Sequence, residues 1–315
     1  MPLTLSQLAA QTGSSVNQLI ALAEEVESGE HYKVRTIRVG RHTRSICKPD
    51  ILYDTTLKEV RRAIERSSKY RPPAHVFGFV KRRSTMHNAS RHLGAECVLT
   101  LDLKDYFGSI SRSVARDALV RAGITSEAAG IVAVLGAPRE NLAIGLSTSP
   151  YLSNLAFEDT DHDLVTLAEA RGLTFSRYVD DLSFSGQVDD ADADAIRLTL
   201  GQRGWSINES KTRFMRQGRS QYVTGLSITD SVRPHAPRTL KNRMRWRLHI
   251  IERHSYDVYL TEFGGDARGH HPRHLMGLAR YIANLEPSLG HQWLARWEDA
   301  LSTEWSELED IAMTD

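Results

Sequence analysis

Cysteine is scarce. Only Cys47 and Cys97 occur in 315 residues, which excludes a disulfide framework and a four-cysteine zinc site and fits a reducing cytoplasm. Long apolar runs are missing as well. No stretch approaches the roughly 18–20 residues that a membrane span needs. Met1-Pro2-Leu3-Thr4 has neither a basic head nor an apolar run, so no secretory signal is expected. Internal repeats and low-complexity segments are absent too. What remains, 41% hydrophobic and 25% charged residues, is the composition of a soluble globular protein. The length suits two or three packed units, or one domain with large insertions.

The formal net charge is only +1, but the signs are segregated. From Lys58 to His92 there are ten Lys/Arg against Glu59 and Glu65, and from Arg233 to Arg253 seven against Glu252 alone. Acid collects over Asp189–Asp194 and from Glu298 to the C-terminus, where no Lys or Arg occurs. Separated basic tracts offer two faces to a polyanion. Solvated helix faces have the same composition, so charge alone leaves both readings open.

Apolar spacing predicts two short helices over residues 3–27, a shape that also suits a small helix-turn-helix. Tyr32–Val39 alternates as a strand, Gly40-Arg41-His42 makes a turn, and Thr43–Ile46 begins the return. Leu52–Ser68 reads as a basic amphipathic helix, and Arg71-Pro72-Pro73 as a rigid break. The apolar run Cys97–Leu101 predicts a buried strand ending in Asp102. Helices are expected over Ser113–Ala122, Ser126–Leu135, within Ser149–Arg171 and over 191–203. Thr174–Ser185 has the pattern of a hairpin with Asp180-Asp181 near its turn. Short strands are expected around Trp205-Ser206-Ile207 and over Gln221–Ile228, and everything after about Ser231 reads as helical. This order predicts an α+β layer with an antiparallel sheet.

Phosphodiester formation needs an activated 3′-hydroxyl and a neutralised pyrophosphate. Two divalent ions about 3.5–4 Å apart do both, held by carboxylates converging from separate strands. Asp102 ends an apolar strand, and Asp180-Asp181 sits where a hairpin turn is expected. Adjacent strand residues face opposite ways, so a carboxylate pair reaches one site only near a turn. Asp-Asp pairs are also ordinary turn residues, and Asp189-Asp190 reads as a loop or helix start.

Context resolves the pair. Leu101-Asp102-Leu103-Lys104-Asp105-Tyr106-Phe107-Gly108-Ser109-Ile110 resembles motif A of reverse transcriptases, and Gly145-Leu146-Ser147-Thr148-Ser149-Pro150 resembles motif B. Tyr178-Val179-Asp180-Asp181 resembles motif C and Asn208-Glu209-Ser210-Lys211-Thr212 motif D, all in the family's order. Asn88-Ala89-Ser90-Arg91-His92 and Val223-Thr224-Gly225 are similar to two elements of bacterial retron reverse transcriptases. The resemblance spans roughly residues 30–290. It implies a right-hand polymerase fold: N-terminal helices and α/β fingers over 1–95, a ferredoxin-like antiparallel palm over 96–230 with a fingers insertion around 112–145, and a helical thumb with an acidic tail over 231–315.

Carried onto matching positions, the resemblance makes Asp102 and Asp180 ligands of two magnesium ions, with Asp181 a weaker ligand or charge holder. Phe107 is implied as the ring against the incoming sugar, though its spacing also suits a core aromatic. Arg44, with Arg38 as companion, is implied on the nucleotide triphosphate, a task suited to a permanent, bidentate cation. Lys211 is a candidate general acid for the leaving pyrophosphate. Asn88, His92, Val223, Thr224 and Gly225 are implied in RNA recognition. Arg238, Lys241 and Arg245, at helical spacing, are expected to form one phosphate-tracking stripe.

Two departures from the family stand out. Leu142-Ala143-Ile144-Gly145 replaces the usual Leu-Pro-Gln-Gly, so the glutamine is missing, and Val179 stands where many retron enzymes have alanine. His270, His271 and His274 lack partners at zinc spacing and read as helical surface. Trp246, Trp293, Trp297 and Trp305 read as thumb core.

The partners implied are a cognate structured non-coding RNA, its branched msDNA product, deoxynucleoside triphosphates and a separate effector protein in phage defence, with no membrane. Alternatives are a reverse transcriptase of abortive-infection or diversity-generating type, or a DNA-binding regulator built on residues 3–27. The last lacks a basic recognition helix, since Val16–Ala23 carries no Lys or Arg.

Overall fold

The computed structural model describes residues 2–39, 42–264 and 267–302. The chain opens with helices α1 (Leu5–Thr12) and α2 (Val16–Glu27), the hairpin β1 (Tyr32–Val39) and β2 (His42–Pro49), and helices α3 (Ile51–Ser67) and α4 (Thr85–Ser90). Strand β3 (Cys97–Asp102) leads into α5 (Arg112–Arg121), α6 (Ser126–Gly136), α7 (Ser149–Ala156) and α8 (Glu158–Ala170). Then come β4 (Thr174–Tyr178), β5 (Asp181–Gly186), α9 (Asp190–Gln202) and the short strands β6 (Arg213–Arg216), β7 (Tyr222–Val223) and β8 (Leu226–Ser227). Helices α10 (Arg238–His254), α11 (Tyr256–Phe263), α12 (Ala267–His270), α13 (Pro272–Leu285) and α14 (Gly290–Ala300) complete the described part. No described helix is long and apolar enough to cross a membrane.

Two compact units result, one from Met1–Ser84 with Glu96–Phe214, the other from Thr85–Ala95 with Met215–Asp315. The sequence-based boundaries at 95 and 230 differ from this grouping. Residues 85–95 join the second unit because α4 packs on β7 and β8.

In the first unit, local signals place each element. Thr4 with Gln7 and Ser15 with Gln18 form reciprocal capping boxes, and Gly13 ends α1 in the left-handed conformation. The apolar face of α2 (Leu19, Leu22, Ala23, Val26) is buried, and the helix packs on α6, so it is core rather than a free recognition helix. The central sheet has the order β4-β5-β3-β6, with β5 antiparallel to both neighbours named in its ladders. Strand β3 is buried on both faces apart from Thr100, which is why its sequence is a continuous apolar run. The helix expected within Ser149–Arg171 is interrupted at Phe157, whose ring is fully buried against Trp205 and Tyr106. Asp189 caps α9 in a third capping box with Asp192. Trp205-Ser206-Ile207 contributes only an isolated bridge from Ile207 to Leu103.

The second unit is built on α10, α13 and α14, which pack on one another. Met244, Leu248, Ile251, Leu275, Met276, Ile282 and Trp297 are buried there, each large apolar side chain contributing about 1.5–3 kcal/mol. Trp293 and Trp297 are core as expected, but Trp246 is 44% exposed and packs edge-on against Phe263. Trp305 lies outside the described residues, as do Gly40 and Arg41 of the predicted fingers turn.

Candidate active site

The sheet brings three carboxylates together. Asp102 is the ladder partner of Asp181 across β3 and β5, so their side chains leave the same face. Asp180 lies in the two-residue loop between the paired Tyr178 and Asp181. The backbone N–H of Leu103 donates to the Asp180 carbonyl at 3.0 Å, and that of Asn208 to the Asp102 carbonyl at 2.8 Å. Ligand oxygens of Asp102, Asp180 and Asp181 all lie within 4.8 Å of one another. A set of three hard oxygen donors this close fits a magnesium-type cation.

Crowding these charges has a cost visible in their acidities. Burial first, then the neighbouring Asp180 and Asp102, pushes the Asp181 carboxyl up to about 6. Asp180 is raised as well, by burial and the charge of Asp102, with Lys211 and Arg44 pulling the other way. The loop carrying it is strained: Val179 has φ +62°, a conformation that usually takes glycine in a two-residue hairpin and costs a β-branched residue roughly 1–3 kcal/mol.

These carboxylates line an open cleft of about 1230 Å³. Arg44 reaches its wall from β2, whereas Arg38, exposed on β1 and laddered to Thr43, does not line it. Phe107 is partly buried, packed on Tyr106 and Phe79, and also lines the cleft. Core packing and sugar contact are therefore compatible. Lys211 closes the short 3-10 turn Glu209–Lys211, and its Nζ donates to both oxygens of Asp102 at 2.8 and 2.9 Å.

Other contributors were not visible in the sequence. The N–H of Cys47 donates to the Ile144 carbonyl at 2.8 Å, tying the hairpin to the motif B loop. Gly145, at φ +105°, sits so close that a Cβ would lie 2.4 Å from the Cys47 carbonyl oxygen. A side chain there would force the backbones of β2 and the motif B loop apart. Ser147 Oγ donates to Asp54 of α3 at 2.9 Å. Ile144, where the family has glutamine, is a half-buried part of the cleft wall. The only advance signal for these contacts was the glycine itself.

A family model described as reverse transcriptase (RNA-dependent DNA polymerase) matches residues 43–228, a span that contains the whole carboxylate platform. The chain belongs to the reverse transcriptase family. The retron Mx65 reverse transcriptase of Myxococcus xanthus is 34% identical over 239 residues, covering 69% of this chain and 52% of the relative. The retron Mx162 reverse transcriptase of the same organism is 29% identical over 339 residues, covering 94% and 67%. The chain thus spans about half to two thirds of the length of these relatives. A solved telomerase structure from Candida albicans covers 89% of the chain at 12% identity and a TM-score of 0.48, a likeness too loose to argue from. The fold is the polymerase fold of this family, and the similarity is to its bacterial retron members.

The retron-type elements of this reverse transcriptase fall in the second unit and form one structure. Val223 is paired with Leu226, and Thr224-Gly225 makes the two-residue loop between them, both at positive φ (+47° and +75°). Such a loop favours glycine, so Gly225 has a structural reason to be there. Thr224 Oγ1 donates to the Thr85 carbonyl of α4 at 3.2 Å. Asn88, His92 and Val223 are 0%, 1% and 0% exposed, and burial holds the His92 imidazole down at about 3. These three side chains do not reach solvent, so as placed they cannot touch RNA; exposed His87, Arg91 and Tyr222 are the surface around them.

The expected thumb stripe also needs correction. Arg238 and Arg245 are exposed on α10. Lys241 instead donates at 2.7 Å to Glu286, a 5% exposed residue that also holds His235. Burial works against the Glu286 charge, and the bonds from Lys241 and His235 overcome it, keeping the carboxyl below its ordinary value. Lys241 braces the unit and two cations remain on the stripe. His270 is likewise engaged, through its Nδ1 with Tyr259 Oη at 2.5 Å.

Proposed function

We propose that this chain is an RNA-directed DNA polymerase of retron type. It copies part of a cognate structured non-coding RNA into branched, RNA-linked single-stranded DNA (msDNA), starting from a 2′-hydroxyl of that RNA. The observation that carries the reading is the convergence of Asp102, Asp180 and Asp181 on one face of the sheet, within 4.8 Å, at the edge of a cleft large enough for a nucleotide. Two magnesium ions held by these carboxylates would lower the pKa of the attacking hydroxyl and neutralise the leaving pyrophosphate.

The chain's own residues divide the remaining tasks. Arg44 grips the triphosphate, and Gly145 lets the hairpin that carries it approach the motif B loop. Phe107 meets the sugar from the cleft wall and excludes a 2′-hydroxyl by contact, selecting deoxynucleotides. Lys211 donates a proton toward the departing pyrophosphate. Ile144 offers only apolar contact to the nascent pair. Arg238 and Arg245 hold RNA phosphates, which supply affinity without sequence information. Similarity to retron reverse transcriptases supports a separate effector protein and a part in phage defence, in the cytoplasm.

The test is primer extension with magnesium, deoxynucleotides and the nucleic acid that co-purifies with the protein. Wild type should yield DNA that shortens on RNase treatment to a strand bearing a branched RNA stub. Asp180→Ala/Asp181→Ala should retain RNA binding and make no DNA. Synthesis by that double variant sinks the metal assignment, and a product indifferent to RNase sinks the branched linkage.

A further inference from the structure

Beneath the catalytic turn lies a buried charge. Arg177 precedes Tyr178 at the end of β4, and its side chain is 0% exposed. Its Nε and Nη2 donate to the two carboxylate oxygens of Asp161 on α8, at 2.8 and 2.6 Å. The guanidinium carbon sits 4.5 Å from the centre of the Phe157 ring. Burial works against the guanidinium charge, and Asp161 more than offsets it, so the group is held more firmly protonated than usual.

Asp161 satisfies only part of the fork. The remaining nitrogen, Nη1, donates to the Val179 carbonyl at 3.1 Å and to Asn154 Oδ1 at 3.0 Å. Val179 is the residue held at φ +62°, and such strain persists only where the surroundings over-determine it. They do so here from two sides. Gly78 lies against the turn so closely that a Cβ would be 2.4 Å from the Val179 nitrogen. Asn154 Nδ2 donates to the Gly78 carbonyl at 3.0 Å. Arg177, Asn154, Gly78 and Val179 therefore close a ring around the loop that carries Asp180. The backbone strengthens it: the Phe77 N–H donates to the Arg177 carbonyl, and the Arg177 N–H to the His75 carbonyl, both at 2.8 Å.

We propose that Arg177 is a positioning residue for the metal platform. Through the Val179 carbonyl it fixes the turn and hence the spacing of Asp180 and Asp181 from Asp102. Asp161 is its counter-ion, and Asn154 ties the turn to α7, the helix that follows the motif B loop. The catalytic consequence rests on the polymerase reading above; the effect on metal binding does not.

Two variants separate positioning from support of the fold. Arg177→Met/Asp161→Leu removes both charges together, a replacement that buried ion pairs commonly tolerate. Arg177→Lys keeps a cation for Asp161 but lacks the planar fork, so it cannot serve Asp161, Val179 and Asn154 at once. Manganese binding to the protein alone is followed by electron paramagnetic resonance, with Asp180→Ala/Asp181→Ala as the blank. Circular dichroism and thermal unfolding are recorded on the same samples. The expected result is folded protein whose half-saturating manganese concentration rises about five-fold or more in both variants. In extension assays the metal requirement should rise more than the nucleotide KM. Folded variants that bind manganese as wild type does overturn the proposal, and should the double variant not fold, Arg177→Lys decides alone. Because the manganese titration uses no substrate, a wild type that binds the ion but extends no primer counts against the polymerase reading only.

Discussion

The ammonium nitrogen of Lys211 bridges both carboxylate oxygens of Asp102, at 2.8 and 2.9 Å, across 109 residues of chain. Motif D thus delivers its cation directly onto the carboxylate of motif A. The ion pair fixes where the amine starts; proton donation to pyrophosphate needs it to remain within reach of the leaving oxygen. Lys211→Ala should slow single-turnover nucleotide addition by about 100-fold, the low end of general-acid contributions. Lys211→Arg keeps the bridge but does not release a proton, so it should recover less than a tenth of the loss. Full recovery by arginine would reduce Lys211 to an electrostatic partner of Asp102.

Asp181 predicts a pH dependence of stability. Its carboxyl is held at about 6 in the folded chain, against an ordinary value of 3.8, by burial and by the charges of Asp180 and Asp102. Between roughly pH 4 and 6 the folded state then binds more protons than the unfolded state, so stability falls as pH rises through that window. Asp181→Asn removes the charge and the effect. With metal chelated, the melting temperature of the variant should exceed that of wild type by a margin that grows by roughly a few degrees from pH 4 to pH 7. A margin constant with pH sinks this account.

Periodicity and composition carried much of this fold. Strand β3 was legible because burial on both faces demands an apolar run, and the β4–β5 hairpin because Asp180-Asp181 separates two strand-like segments. Apolar spacing located α1 and α2, and the acidic pair Asp189-Asp190 read as a loop or helix start, where α9 begins. The contacts that hold the site were not legible, because they join residues far apart in the chain with no shared period. Arg177 with Asp161, Ser147 with Asp54, and Cys47 with Ile144 are examples. The subfamily motifs pointed to the retron relatives that the chain resembles, but not to what each of their side chains does. A motif marks constraint without saying which kind: Asn88 and His92 are buried, and Gly225 holds a positive-φ turn.

The cations of α10 provide the last test, because the structure divides what spacing had united. Arg238 and Arg245 lie two turns apart on the exposed side of α10, and Arg245 makes only a long 3.4 Å contact to Asn242. Lys241, between them in sequence, is turned to the buried Glu286. The two roles predict opposite signatures. Arg238→Ala/Arg245→Ala should weaken RNA binding and lower the slope of log affinity against log salt by about 0.7–0.9 for each phosphate no longer neutralised, with little change in stability. Lys241→Ala should leave that slope unchanged and reduce unfolding free energy by about 1–3 kcal/mol, the range for a hydrogen bond to a charged group left unmade. Glu286 keeps its bond to His235, which places the effect toward the lower end. Binding titrations at several salt concentrations, paired with urea unfolding of the same proteins, read both quantities. If Lys241→Ala flattens the salt slope while stability holds, Lys241 is the phosphate ligand and the pair with Glu286 is incidental.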